Sequence, residues 1–260
     1  MDKRNKKLIR KKSGRLIFAA LIVVFIIAGS IAVFNLLRTE RDYNAAQSEY
    51  AELRQWAPMP IPPPGGNDNN NDPAETTTDQ EAASESMFDL TIFNPDFIGW
   101  IRIEGTSIDY PVVQGANNTK YLNTTFMGDR NPSGTIFMDN ECSFGFTGFA
   151  ILHGHNMRNG SMFADLHKFR NREFLAEHNV ITIFTPDGEV IVFSIFDVIL
   201  TDIYDNVFDI PVEGQEAFTE YFKDYDLAGH SLRDRSGILV LSTCTEGHRN
   251  ERLLILAARQ

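Results

Sequence analysis

The chain has 260 residues, 43% of them hydrophobic, with 24 Lys and Arg against 35 Asp and Glu for a formal charge of −11. Its first 15 residues hold eight basic groups and one acid, a charge of +7, which leaves the other 245 residues at −18. A body so acidic excludes a basic nucleic-acid-binding face, and two cysteines, Cys142 and Cys244, exclude a disulfide scaffold or a Cys-rich zinc centre.

The basic block (residues 1–15) runs into LIFAALIVVFIIAGSIAVFNLL, residues 16–37, an uncharged stretch of 22 residues. As a helix it spans roughly 33 Å, enough for a bilayer core. A cleaved signal peptide shares the charge-then-apolar order, but its apolar region runs to only about 7–15 residues and needs a small-x-small cleavage site. None follows Leu37, so an uncleaved single-pass anchor is expected. Eight positive charges precede the segment and only Arg38 and Arg41 closely follow it, which predicts a cytoplasmic N-terminus and an extracellular remainder. Residues 38–56 read as a polar helical stalk. Residues 57–86 carry six of the eleven prolines among Asn, Asp, Ser and Thr, a composition expected to form an extended, disordered spacer. Stalk and spacer together make a linker over 38–86.

The folded domain is then expected over 87–260, and its pattern is mainly β. Short β-rich runs fall at 98–103, 107–113, 134–139, 149–153, 180–185, 189–200, 237–244 and 252–258, with Pro186-Asp187-Gly188 as a hairpin turn between two of them. Helices are predicted around 161–168 and over 213–225, the latter with Phe218, Tyr221, Phe222 and Tyr225 at i, i+3, i+4 and i+7. Eight strands with a few helices predict a single closed, mixed-topology β-barrel with peripheral helices. No Gly-rich phosphate-binding motif is present, and no cofactor is expected.

Cys244 ends an apolar strand and precedes a polar loop, where a nucleophile is rigidly held yet reachable. A hairpin returning at Arg252 brings a permanent cation beside it, favouring thiolate and offering donors to an oxyanion. The proton-transfer partner has six candidates, of which His153 and His155 stand where a predicted strand breaks into a loop. On spacing alone, Cys/His chemistry and a structural cysteine both stay open.

The segments ILHGHNMRNGSMFADL (151–166), LVLSTCTEGHRNERLLIL (239–256) and NPSGTIFMD (131–139) resemble those of class B sortases, the membrane-anchored cysteine transpeptidases of Gram-positive bacteria. The resemblance extends over residues 88–260. It implies Cys244 as nucleophile, His155 as general acid/base and Arg252 as the residue that steadies the peptide and the oxyanion. It implies cleavage of a C-terminal sorting motif of a secreted protein after Thr, through a thioester, and transfer to an amine of a peptidoglycan precursor or a pilin. His153 stands where the class more often has Tyr and is a rival base; Arg249 is the rival arginine, in the predicted loop. A His-x-His metal site lacks a partner at a persuasive spacing, and no metal is expected. Asn156, Ser242 and Thr243 are candidate substrate-binding residues, with loop capping and strand filling as their plainer roles. Cys142 is read as a free thiol without a catalytic part, against a disulfide to Cys244, and Phe144, Phe146 and Phe149 as barrel packing. The alternatives to a transpeptidase are a cysteine peptidase that transfers to water and a tethered binding module without catalysis.

Overall fold

A computed structural model describes residues 3–58, 90–142, 146, 148–209, 220–222, 237–245, 247 and 250–260. The chain divides into two compact units, Met1–Ala45 and Ala46–Gln260. The first holds most of α1 (Lys3–Leu53), a single helix that continues past the apolar segment and whose last turns, from Ala46, belong to the second unit. Among the described residues, Leu21–Trp56 is the one helix long and apolar enough to cross a membrane. Its mean hydropathy is 2.3 over an 18-residue window, none of which is buried. Such a helix, apolar all round and uncovered by protein, fits a membrane anchor.

The second unit begins within the stretch read as a polar stalk. Ala46, Tyr50 and Leu53 are buried; their i, i+4, i+7 spacing makes a narrow apolar stripe that surrounding charges and amides obscure in the sequence. The Tyr50 hydroxyl donates to the Gly134 carbonyl, and its ring meets Tyr110 edge-on at 5.3 Å. The expected spacer lies outside the described residues from position 59 to its end.

All eight predicted strands are present: β1 (Phe97–Ile103), β2 (Asp109–Val113), β3 (Ile136–Met138), β4 (Phe149–His153), β5 (Val180–Phe184), β6 (Val190–Asp202), β7 (Ile238–Cys244) and β8 (Glu251–Arg259). They close into a barrel in the order β1-β2-β3-β4-β7-β8-β6-β5. The β2–β3 and β4–β7 pairs are parallel and the others antiparallel. β7 and β8 are central: Ile238–Leu241 and Leu253–Ala258 are buried without a break, as a strand covered on both faces must be. β6 alternates half-buried and buried residues from Val190 to Ile195, then loses the alternation where its register against β8 shifts between Ile195 and Asp197. The β5–β6 turn is the expected hairpin, with Gly188 at φ +86° and the Gly188 N–H donating to the Thr185 carbonyl at 3.0 Å.

The helix expected near 161–168 is a 3₁₀ helix at Ala164–Arg170. A short helix that the sequence did not suggest, α2 (Arg172–Glu177), follows it and is capped by the Asn171 side chain. The helix expected over 213–225 lies outside the described residues except for 220–222, which are helical. There Phe222 is buried and packs on Phe149 at 6.3 Å and Phe196 at 6.4 Å.

Candidate active site

Strand register assembles the site. β7 and β8 are antiparallel with Cys244 directly opposite Arg252, so the two side chains leave the sheet on one face. β4 is parallel to β7 with His153 opposite Ser242, and β3 sets Phe137 opposite His153. Phe137, His153 and Ser242 therefore form a cross-strand row, and Cys244 with Arg252 forms another one step further along. These residues, with Gly154, His155, Thr243, Asn118, Asp139, Leu122, Thr135, Ile203 and Phe208, line a cavity of about 250 Å³.

Cys244 is half-buried and Cys142 fully buried, and neither is in a disulfide. Cys142 Sγ accepts from the Ile151 N–H at 3.4 Å, well inside the barrel wall. Arg252 is half-buried and donates through Nη1 to the Glu251 carbonyl at 3.0 Å. The rival Arg249 lies outside the described residues.

The two candidate bases have different surroundings. β4 ends at His153, whose Nε2 donates to Asp139 Oδ2 at 2.9 Å; its ring is flanked by Phe137 at 5.2 Å and Phe208 at 6.2 Å. Burial pushes the Asp139 carboxyl up, but the His153 ring, the Glu141 N–H and the Asn118 amide together carry it below its ordinary value. His153 is thus occupied as the partner of a buried carboxylate. His155 lies past the strand end, and its Nε2 is 2.7 Å from the Leu122 carbonyl. A carbonyl only accepts, so Nε2 carries the proton and Nδ1 is the ring nitrogen with an open lone pair.

The intervening glycine is required by close approach: a Cβ on Gly154 would lie 2.5 Å from Phe163 Cδ2 and 2.6 Å from Ile136 Cδ1. Gly134 supports the other side. It takes φ +58°, and a Cβ there would lie 2.4 Å from the Tyr121 carbonyl and 2.9 Å from the Leu122 carbonyl that receives His155.

The residues expected to bind substrate divide. Ser242 and Thr243 are buried strand residues that also line the cavity; Thr243 Oγ1 donates to the Gly154 carbonyl at 2.8 Å, tying β7 to the histidine loop. Asn156 turns instead to the Cys244 carbonyl, to which its Nδ2 donates at 3.1 Å. Asp139, Leu122 and His167 were not singled out from the sequence. An acid at the end of a predicted strand was the only available hint of Asp139; His167 is one of the six histidines with nothing to set it apart, and nothing in the sequence marks Leu122. Among the described residues no cluster of three or more His, Cys, Asp or Glu is arranged to hold a metal ion.

A closed mixed barrel whose paired strands present a cysteine and an arginine, with a histidine in the same cavity, is the architecture of a cysteine acyl-transfer enzyme. The Sortase domain family model matches residues 101–260. Sortase B of Listeria monocytogenes is 31% identical over 172 residues, 62% of this chain and 67% of that protein. Sortase B of Staphylococcus aureus is 28% identical over 189 residues, 68% of this chain and 76% of that one. The X-ray structure of a mutant form of Clostridium perfringens sortase B aligns with TM-score 0.69 and 29% identity, covering 82% of this chain and 97% of that one. The chain belongs to the sortase family of cysteine transpeptidases and sides with its class B members.

Proposed function

We propose that Cys244 is the nucleophile, His155 the general acid/base and Arg252 the residue that steadies the peptide and the oxyanion. The observation that carries this reading is the β7–β8 register, which sets Arg252 opposite Cys244 at a cavity that His155 also lines. His155 Nδ1 takes the thiol proton, and the sulfur attacks the Thr carbonyl of a C-terminal sorting motif. The guanidinium meets the oxyanion with its planar fork of donors. On collapse the imidazolium returns its proton to the departing amine, leaving a thioester on Cys244. An amine of a peptidoglycan precursor or a pilin then loses a proton to His155 and resolves the thioester, so the peptide ends joined to the acceptor.

Residues 1–15 remain cytoplasmic in this reading, 16–37 span the membrane, 38–86 space the enzyme from it, and the catalytic domain over 87–260 works outside the cell. The charge of +7 before the apolar segment supports that orientation.

The test is to incubate the full chain in detergent with a sorting-motif peptide and a primary amine. A peptide–amine conjugate is the expected product; cleavage to free acid alone, at saturating amine, would leave a peptidase in place of a transpeptidase.

A further inference from the structure

The parallel ladder between β4 and β7 stops one rung short of Cys244. Its last backbone rung is the Gly154 N–H donating to the Ser242 carbonyl at 3.1 Å. In a parallel ladder the next carbonyl on that edge belongs to Cys244, and its partner would be the N–H of residue 156. The chain has turned away by then, and the backbone of Asn156 bridges to Met162 instead. The Asn156 side chain replaces the missing rung, Nδ2 donating to the Cys244 carbonyl at 3.1 Å.

A second donor reaches the same oxygen from the 3₁₀ helix at Ala164–Arg170: His167 Nε2 lies 3.1 Å from it. A carbonyl only accepts, so His167 Nε2 carries its proton there. Asn156 Nδ2 and His167 Nε2 are themselves 3.1 Å apart, so the two donors reach the Cys244 oxygen side by side. On the other edge of β7 the first contact past the cysteine is long, Thr245 N–H to the Glu251 carbonyl at 3.4 Å. The peptide unit that follows Cys244 is therefore held by these two side chains more than by the sheet.

We infer that Asn156 and His167 are positioning residues for Cys244. They extend the β4–β7 ladder by one side-chain rung, fix the plane of the Cys244 peptide, and so fix the direction in which Cβ and Sγ leave the strand. Neither is among the residues that line the cavity, so their effect passes through Cys244 and not through the peptide. The inference rests on Cys244 being the nucleophile.

Steady-state transpeptidation by the full chain tests it. His167→Ala and Asn156→Asp, the latter isosteric but unable to donate, are expected to lower kcat by about ten- to hundred-fold, the scale of an ångström-level misplacement of a reacting group. KM should stay within about two-fold, because the cavity walls are intact. His167→Gln, whose amide N–H can reach the same oxygen, should recover kcat to within about three-fold of the unsubstituted enzyme. The loss in a double variant should fall short of the product of the single losses, since both act through one carbonyl. Full kcat in both Asn156→Asp and His167→Ala, or a rise in KM with kcat unchanged, overturns the inference. A Cys244→Ala control separates the two levels: full turnover there defeats the nucleophile assignment itself, whereas a dead control beside fully active His167 and Asn156 variants defeats only the positioning role.

Discussion

Cys244 and Arg252 face one another across the β7–β8 register, so strand pairing and not a loop conformation brings the two residues together. In the proposed mechanism, a guanidinium on a fixed strand position would cost little reorganisation when negative charge develops on the substrate oxygen. Arg252→Ala is expected to lower kcat/KM by about 10²–10³-fold, the scale of a lost oxyanion donor. Arg252→Lys should recover only part of it, because a point charge does not reproduce the planar fork. Comparable activity in all three proteins would remove Arg252 from the mechanism.

The two neighbouring histidines should separate cleanly. His155→Ala is expected to lose about 10²–10⁴-fold in kcat, the range for a general acid/base. His153→Phe keeps an aromatic ring between Phe137 and Phe208 and should stay within about ten-fold in kcat. The reverse order would transfer the base assignment to His153.

His153→Phe should instead alter the acid stability. The Asp139 carboxyl is held below its ordinary value of 3.8, so its contribution to folding is present above that value and is lost as pH falls through the lower folded value. Without the His153 bond a lowering contribution is lost, and the folded value rises. Thermal unfolding followed from pH 7 downward should then show the variant losing stability at a higher pH than the unsubstituted protein; coincident acid limbs would contradict the pairing.

Tyr50 links the end of α1 to the barrel. Tyr50→Phe removes the hydroxyl that donates to Gly134 and is expected to cost about 1 kcal/mol. Tyr50→Ala also removes the buried ring, at about 3–5 kcal/mol. Denaturant unfolding of the second unit measures both, and unchanged midpoints would show that α1 does not pack there in solution.

Gly134 should tolerate no side chain. Gly134→Ala needs a left-handed φ and drives a methyl at the Tyr121 and Leu122 carbonyls. Displacing Leu122 disturbs the acceptor that holds His155, so kcat should fall together with stability. Wild-type kcat in this variant would detach His155 from the Leu122 carbonyl.

The eight strands were legible because each is a short β-rich run bounded by turn residues, and the pairing of Cys244 with Arg252 was legible because the two stand eight positions apart at the facing ends of adjacent antiparallel strands. Barrel closure through parallel β2–β3 and β4–β7 pairs depends on crossovers that periodicity does not encode. The contacts that define the rest of the site are equally non-local: His155 and Leu122 are 33 residues apart, His167 and Cys244 are 77 apart, and Asn156 and Cys244 are 88 apart. The buried stripe of Ala46, Tyr50 and Leu53 escaped notice for a different reason: three residues among charged neighbours leave little periodic signal.

Intact-mass spectrometry of the full chain mixed with a sorting-motif peptide tests the nucleophile most directly. An adduct with the mass of the acyl fragment, mapped to Cys244, absent in Cys244→Ala and discharged by added amine, is the predicted result. Turnover by Cys244→Ala, or an adduct mapped to any other residue, would contradict it.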